Sequence, residues 1–179
     1  MIWLLLFCLQ TTDKEAALAL KRLDKALASD DDSSRASGVE SLRLIRHESI
    51  RNRIIRIGDN GRASERVRAA CADVLGEYSD DEVAAKSLAL WTGDRSRLVA
   101  VRACQSLGSL KPDVARLHAR SLNGLFHSKD DAVAKAAIMA AGVIRDRVNI
   151  KPLLDELALV QQKMAAILKA MGVGGCDGG

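Results

Sequence analysis

The residues in this 179-residue chain with chemistry to offer are three histidines, four cysteines, several acidic runs and a block of arginines. His118 and His127 are nine positions apart, whereas two ligands on one helical face need a spacing of three or four. No H-E-x-x-H occurs, and His47 stands alone, so all three read as surface or helix-end residues. Cys8, Cys71, Cys104 and Cys176 form no C-x-x-C pair, which excludes a structural zinc site. Their sparse spacing argues against a disulfide framework. Cys71 and Cys104 lie inside apolar helical patterns, where a thiol packs as a small hydrophobe.

Other motifs fail on inspection. The stretch Gly61 to Glu65, GRASE, lacks the second glycine of a nucleophile elbow, and no strand precedes it. Ser64 therefore reads as a helix cap. The glycines after Gly172 follow a helix and match no dinucleotide fingerprint, and there is no P-loop. The runs Asp30–Asp32, Asp80–Glu82 and Asp130–Asp131 lack the alternating oxygen ligands and central Gly of a calcium loop. They suit helix N-caps and first-turn dipoles instead. No catalytic set, metal or cofactor is expected.

One regional signal remains. Between positions 35 and 68 stand nine arginines (Arg35, Arg43, Arg46, Arg51, Arg53, Arg56, Arg62, Arg66 and Arg68) against four acids, in a chain of net charge +4. Every one of these cations is Arg, the side chain suited to bidentate carboxylate or phosphate contacts. On a helix over Glu48–Ile57, Arg53 and Arg56 project opposite the Ile50, Ile54 and Ile57 stripe. Arg46, Arg53, Arg56, Arg62, Arg66 and Arg68 form the candidate binding patch. A solvated face with interhelix ion pairs to Glu40, Glu48 or Glu65 is the plainer reading. The patch holds no aromatic residue, which disfavours base stacking on single strands; phosphate-backbone contact stays open.

The elements that position these residues follow from a repeat. Val67 to Gly76 reads VRAACADVLG, and related blocks follow: VAVRACQSLG at Val99–Gly108, VAKAAIMAAG at Val133–Gly142 and KMAAILKAMG at Lys163–Gly172. A weaker copy, SRASGVESLR, spans Ser34–Arg43. The block ends at 43, 76, 108, 142 and 172 are spaced by 33, 32, 34 and 30 residues, a solenoid period. Val67, Ala70, Cys71, Val74 and Leu75 make one helical stripe. Gly38, Cys71, Ala103, Ala137 and Ile167 form a column suited to close helix approach. Gly76, Gly108, Gly142 and Gly172 fit left-handed caps or close crossings.

The intervening segments supply a first helix for each unit. They are Asp13–Ala28 (Ala17, Leu20, Leu23, Leu27), Glu48–Ile57, Asp81–Trp91 (Val83, Leu88, Leu90, Trp91), Pro112–Phe126 (Val114, Leu117, Leu122, Leu125) and Pro152–Leu159. Pro112 suits a helix N1 position, and Trp91 reads as a core anchor. No segment of period two occurs, so the expected class is all-α.

The V-R-x-A-A/C-x-x-L-G block and its copies resemble the HEAT repeat family, in particular the short bacterial HEAT-like form of phycobilisome lyases. The resemblance covers residues 13–172 and implies a right-handed α-solenoid of about five helical hairpins, with partners on a concave face lined by second helices. The pattern's Arg is present as Arg35 and Arg68 but replaced by Ala100, Ala134 and Met164, which puts a continuous Asp–Arg ladder in doubt.

Composition agrees with an aliphatic helical core: 48% apolar, 3% aromatic and two prolines. No run reaches the ~20 apolar residues of a membrane span. Residues 1–12 read either as a signal peptide, through the apolar run Ile2–Leu9, or as an apolar segment packing on the first helix. No basic residue precedes that run and no A-x-A site follows it, so exported and cytoplasmic locations both stay open. Residues 173–179 read as a flexible Gly-rich tail. The expected function is a monomeric, noncatalytic scaffold binding another protein, acidic in character, through the concave face and the arginines. Reversing Arg53 and Arg56 to Glu is expected to abolish partner capture. The alternatives are a lyase-like helper or DNA-glycosylase-like enzyme, and nucleic-acid binding through the arginines.

Overall fold

A computed structural model describes residues 11–170. The apolar run Ile2–Leu9, the tail 173–179, Cys8, Cys176 and Gly172 lie outside the described residues. Ten helices and no strand occur among the described residues. They are α1 (Asp13–Leu27), α2 (Asp32–Glu40), α3 (Glu48–Gly58), α4 (Glu65–Leu75), α5 (Glu82–Trp91), α6 (Arg97–Ser109), α7 (Pro112–Arg116), α8 (Arg120–Asn123), α9 (Asp131–Ile144) and α10 (Arg147–Ala170). The all-α class follows.

Short polar residues start these helices. Thr12 builds a capping box with Glu15 on α1, and Asp31, Asp81 and Asp130 each accept two first-turn N–H groups on α2, α5 and α9. Each satisfies donors that have no intrahelical partner, so the acidic runs are caps. Ser64 caps α4, as its sequence context suggests, and His47 caps α3 through Nδ1. Asp94 does something else: it accepts the Ser96 backbone N–H at 2.7 Å and pairs with Arg68.

Packing joins α1 to α2, α3 to α4 and α5 to α6, and each pair to the next. The second helices form one row, α2 on α4, α4 on α6 and α6 on α9; α1, α3 and α5 form the other. Between the rows runs one aliphatic core, including Leu23, Ile50, Ile54, Leu75, Leu88, Leu107 and Ile144. Small residues in the second helices permit the close row: Cys71, Ala103 and Ala137 are fully buried. Gly108 lies against the Ala140 backbone, where an added Cβ would stand 3.1 Å away, and Gly76 lies against Ser106. Those two glycines therefore serve close approach. Gly142 faces open space, and the left-handed residue ending α9 is Arg145, with φ 53°.

Polar links repeat with the same period. Asp32 accepts the Ser64 hydroxyl at 2.6 Å, 32 residues on, and Glu65 accepts the Ser96 hydroxyl at 2.7 Å, 31 residues on. Asp59 takes the Trp91 indole N–H at 2.8 Å across 32 residues, and Asp80 takes Lys111 at 2.9 Å across 31. Equivalent positions of neighbouring pairs are thus in contact.

Four expectations are corrected. Pro112–Phe126 is not one helix: α7 and α8 are separated by a tighter winding with i→i+3 bonds, such as His118 N–H to Ala115 O at 3.0 Å. That winding seats Ala115, Ala119, Leu122 and Phe126 in the core and leaves Leu117 exposed. Pro152–Leu159 and Lys163 onward are not a hairpin but parts of one 24-residue helix, α10. No Gly, Asn or Asp breaks the LVQQ join between them, so nothing ends the helix. Pro152 sits inside α10 because the Val148 carbonyl that it leaves unbonded accepts Asn123 Nδ2 at 3.3 Å. Ile167 is accordingly exposed rather than part of a close-packed column. The remaining correction concerns stripes: Ala17, Val83 and Leu90 face solvent, and Ala16, Ala84 and Ala85 take the buried places.

Candidate functional site

Arg53 and Arg56 come from the second half of α3, Arg62 from the α3–α4 loop and Arg35 from the first turn of α2. The four line one cavity of about 390 Å³, with Leu27, Ile57, Ala63 and Val67 as its apolar wall. The α3 stripe explains the arrangement. Ile50, Ile54 and Ile57 turn into the core, and the period of 3.6 then places Arg53 and Arg56 outward on the side next to α1 and α2. Arg53 Nη2 donates to Asp24 Oδ1 at 2.7 Å, and Arg35 Nη2 to Asp32 Oδ1 at 3.1 Å. Arg56 donates only a long bond to its own helix, to Asn52 O at 3.4 Å. Among the described residues, neither Arg56 nor Arg62 has a carboxylate within 4.0 Å.

The electrostatics of the rim are legible in its acids. The Asp32 carboxyl is held below its usual range, chiefly by the Ser64 hydroxyl and then by Arg35 and Arg66. Asp31 is lowered by Ser34 and the first-turn amides of α2, with Arg66 adding to it. Arg66, exposed at the start of α4, thus acts on this rim from outside the cavity.

The other two members of the sequence-level patch lie elsewhere. Arg46 lines a separate cavity of about 220 Å³ with His47, Arg51, Tyr78 and Asp80 at the opposite end of α3. Arg46 precedes the first turn of α3, whereas Arg53 and Arg56 stand in its second half. Arg68 is buried and paired with the half-buried Asp94; it links α4 to the loop before α6. Arg35, which the sequence reading placed in the Arg block and in the repeat pattern but not in the patch, belongs to the cavity.

A second surface escaped the sequence reading. Gln105, Gly108 and Ser109 of α6 and Ala136, Met139, Ala140 and Val143 of α9 line a groove of about 360 Å³ with almost wholly apolar walls. It continues past Gln105 into a second recess of about 370 Å³ bounded by Leu98, Val101, Arg102 and Ala132. Met139 and Val143 are each 63% exposed. The available signal was that α9 is apolar all round, VAKAAIMAAGVI, beyond what one core stripe requires.

Cys71 and Cys104 are buried free thiols. Burial pushes the Cys104 thiol up to about 12 and raises Cys71 as well, so neither supplies a thiolate near neutral pH. Among the described residues no three His, Cys, Asp or Glu side chains gather as a metal site, and no helix is long and apolar enough to cross a membrane.

No family model matches the chain, and no curated protein does. A solved structure does resemble it: the crystal structure of an engineered protein from the Northeast Structural Genomics Consortium, with a TM-score of 0.50 at 19% identity. The likeness covers 75% of this chain and 66% of that one. At that identity it bears on the helical fold alone.

Proposed function

We propose that this chain is a noncatalytic HEAT-like α-solenoid that docks another protein on the face formed by its second helices. The carrying observation is the groove between α6 and α9, an apolar recess with exposed Met139 and Val143 at its lip. Isolated exposed hydrophobes are ordinary, but a contiguous apolar recess rimmed by polar residues is the mark of a docking site. Two further observations support the solenoid reading. Second helices contact one another in chain order, and polar links join residues 31 or 32 positions apart. The resemblance to HEAT repeats implies that the second helices line a concave side, the kind of surface on which solenoids bind partners.

Arg97 and Arg102 bound the groove's continuation. Arg102 is half-exposed and its pair with Asp73 is long, at 3.8 Å, which leaves its other N–H donors open to a partner carboxylate. The fitting partner segment has two or three apolar anchors flanked by acids, in keeping with the expected acidic partner. The Arg35–Arg62 cavity shares no residue with this groove, so the contact is assigned to α6 and α9.

The test is affinity capture from the native host by wild type, by M139E/V143E and by R53E/R56E. Both groove side chains are exposed, so M139E/V143E keeps the wild-type melting temperature. The protein retained by wild type and by R53E/R56E is lost from M139E/V143E. Retention of the same protein by M139E/V143E overturns the reading.

A further inference from the structure

The cavity between α1, α2, α3 and the α3–α4 loop combines two properties that ion-paired surfaces lack. It has cations in excess of its acids. Arg35 and Arg53 each hold a carboxylate, but Arg56 and Arg62 hold none among the described residues, although both face the same space. Its floor is apolar, made by Leu27, Ile57, Ala63 and Val67. Guanidinium groups with free forks recognise planar or tetrahedral oxyanions bidentately. An apolar wall of four side chains contributes only if the ligand carries a hydrophobic group. A volume of about 390 Å³ holds a phosphoryl group together with an organic part of about six to ten heavy atoms, in the range of small-ligand sites. It has no room for a duplex.

We propose that this cavity binds a small-molecule phosphate monoester, its dianion on Arg56 and Arg62 and its organic part on the Ile57 and Val67 floor. The monoester is preferred to a diester because two free guanidiniums neutralise a double charge. Arg35 and Arg53, held by Asp32 and Asp24, bound the cavity and keep the free pair from neutralising itself on those carboxylates. The inference is independent of the docking groove.

Titration calorimetry of the full chain at low salt with phenyl phosphate tests it. The expected result is one-to-one binding, tighter than inorganic phosphate because the ring covers the floor. Affinity rises between about pH 5 and pH 7.5 as the ester takes its second charge, whose pKa is about 6. R56Q/R62Q weakens phenyl phosphate by about tenfold or more with an unchanged melting temperature, since no ion pair is removed. R46Q, in the other cavity, binds as wild type does. The proposal is overturned if phenyl phosphate gives no heat, if R56Q/R62Q binds it equally, or if a phosphoserine peptide or a short DNA duplex binds where phenyl phosphate does not.

Discussion

Single side chains in this protein have roles set by what surrounds them more than by their type. Arg68 and Arg56 belong to one sequence cluster, yet Arg68 is buried against Asp94 and Arg56 is exposed with no carboxylate partner among the described residues. Removing one partner of a buried pair leaves the other charge desolvated, at a cost of about 3–5 kcal/mol. Asp94 also takes the Ser96 N–H at the start of α6. Asp94→Ala therefore destabilises by about that range. Arg68→Met, which leaves Asp94 close to solvent and still bonded to Ser96, costs less. Urea unfolding of the two variants checks the order; equal midpoints would contradict it.

Helices here are bounded by local chemistry but spaced by their smallest residues. Gly58 at the end of α3 lies under the Trp91 ring, and a Cβ there would overlap the indole. Gly142 in α9 has nothing within reach of a Cβ. The same substitution should then have opposite signs. Gly142→Ala stabilises by up to ~1 kcal/mol through helix propensity. Gly58→Ala displaces Trp91 and strains its bond to Asp59, costing about 1–3 kcal/mol. Thermal melts of the two variants, read against wild type, give the signs directly. The tighter winding between α7 and α8 and the proline inside α10 belong to this scale too. Both depend on neighbours, Phe126 and Ala119 in the core for the first, Asn123 for the second.

Across the whole molecule, contacts are made with sequence neighbours: α1 packs on α2 and α3, and α9 on α6, α7, α8 and α10. Stability in such an arrangement is a sum of local terms, so damage stays local. Leu23→Ala empties a fully buried position in α1, a loss of about 2–5 kcal/mol. Amide hydrogen exchange should accelerate in α1 and α2 and stay at wild-type rates in α6 and α9. Uniform acceleration would show one cooperative unit instead.

The all-helical class, the starts of most helices and the positions of the second helices α2, α4, α6 and α9 were legible in the chain, though not the end of the repeat in α10, because caps and a 3.6 period are local properties. The period near 33 was legible too, and Ser64, Asp31, Asp81 and Asp130 cap where composition and spacing place them. Which arginines share a cavity was not. Arg46, Arg62 and Arg68 are within 22 positions of one another, but a helix end, a loop and a buried face send them to three different environments. The apolar groove was equally hidden, since Met139 and Val143 look like core until the packing of α9 on α6 turns them outward. Side-chain burial depends on which neighbouring helix arrives at each face, and only the folded chain decides that.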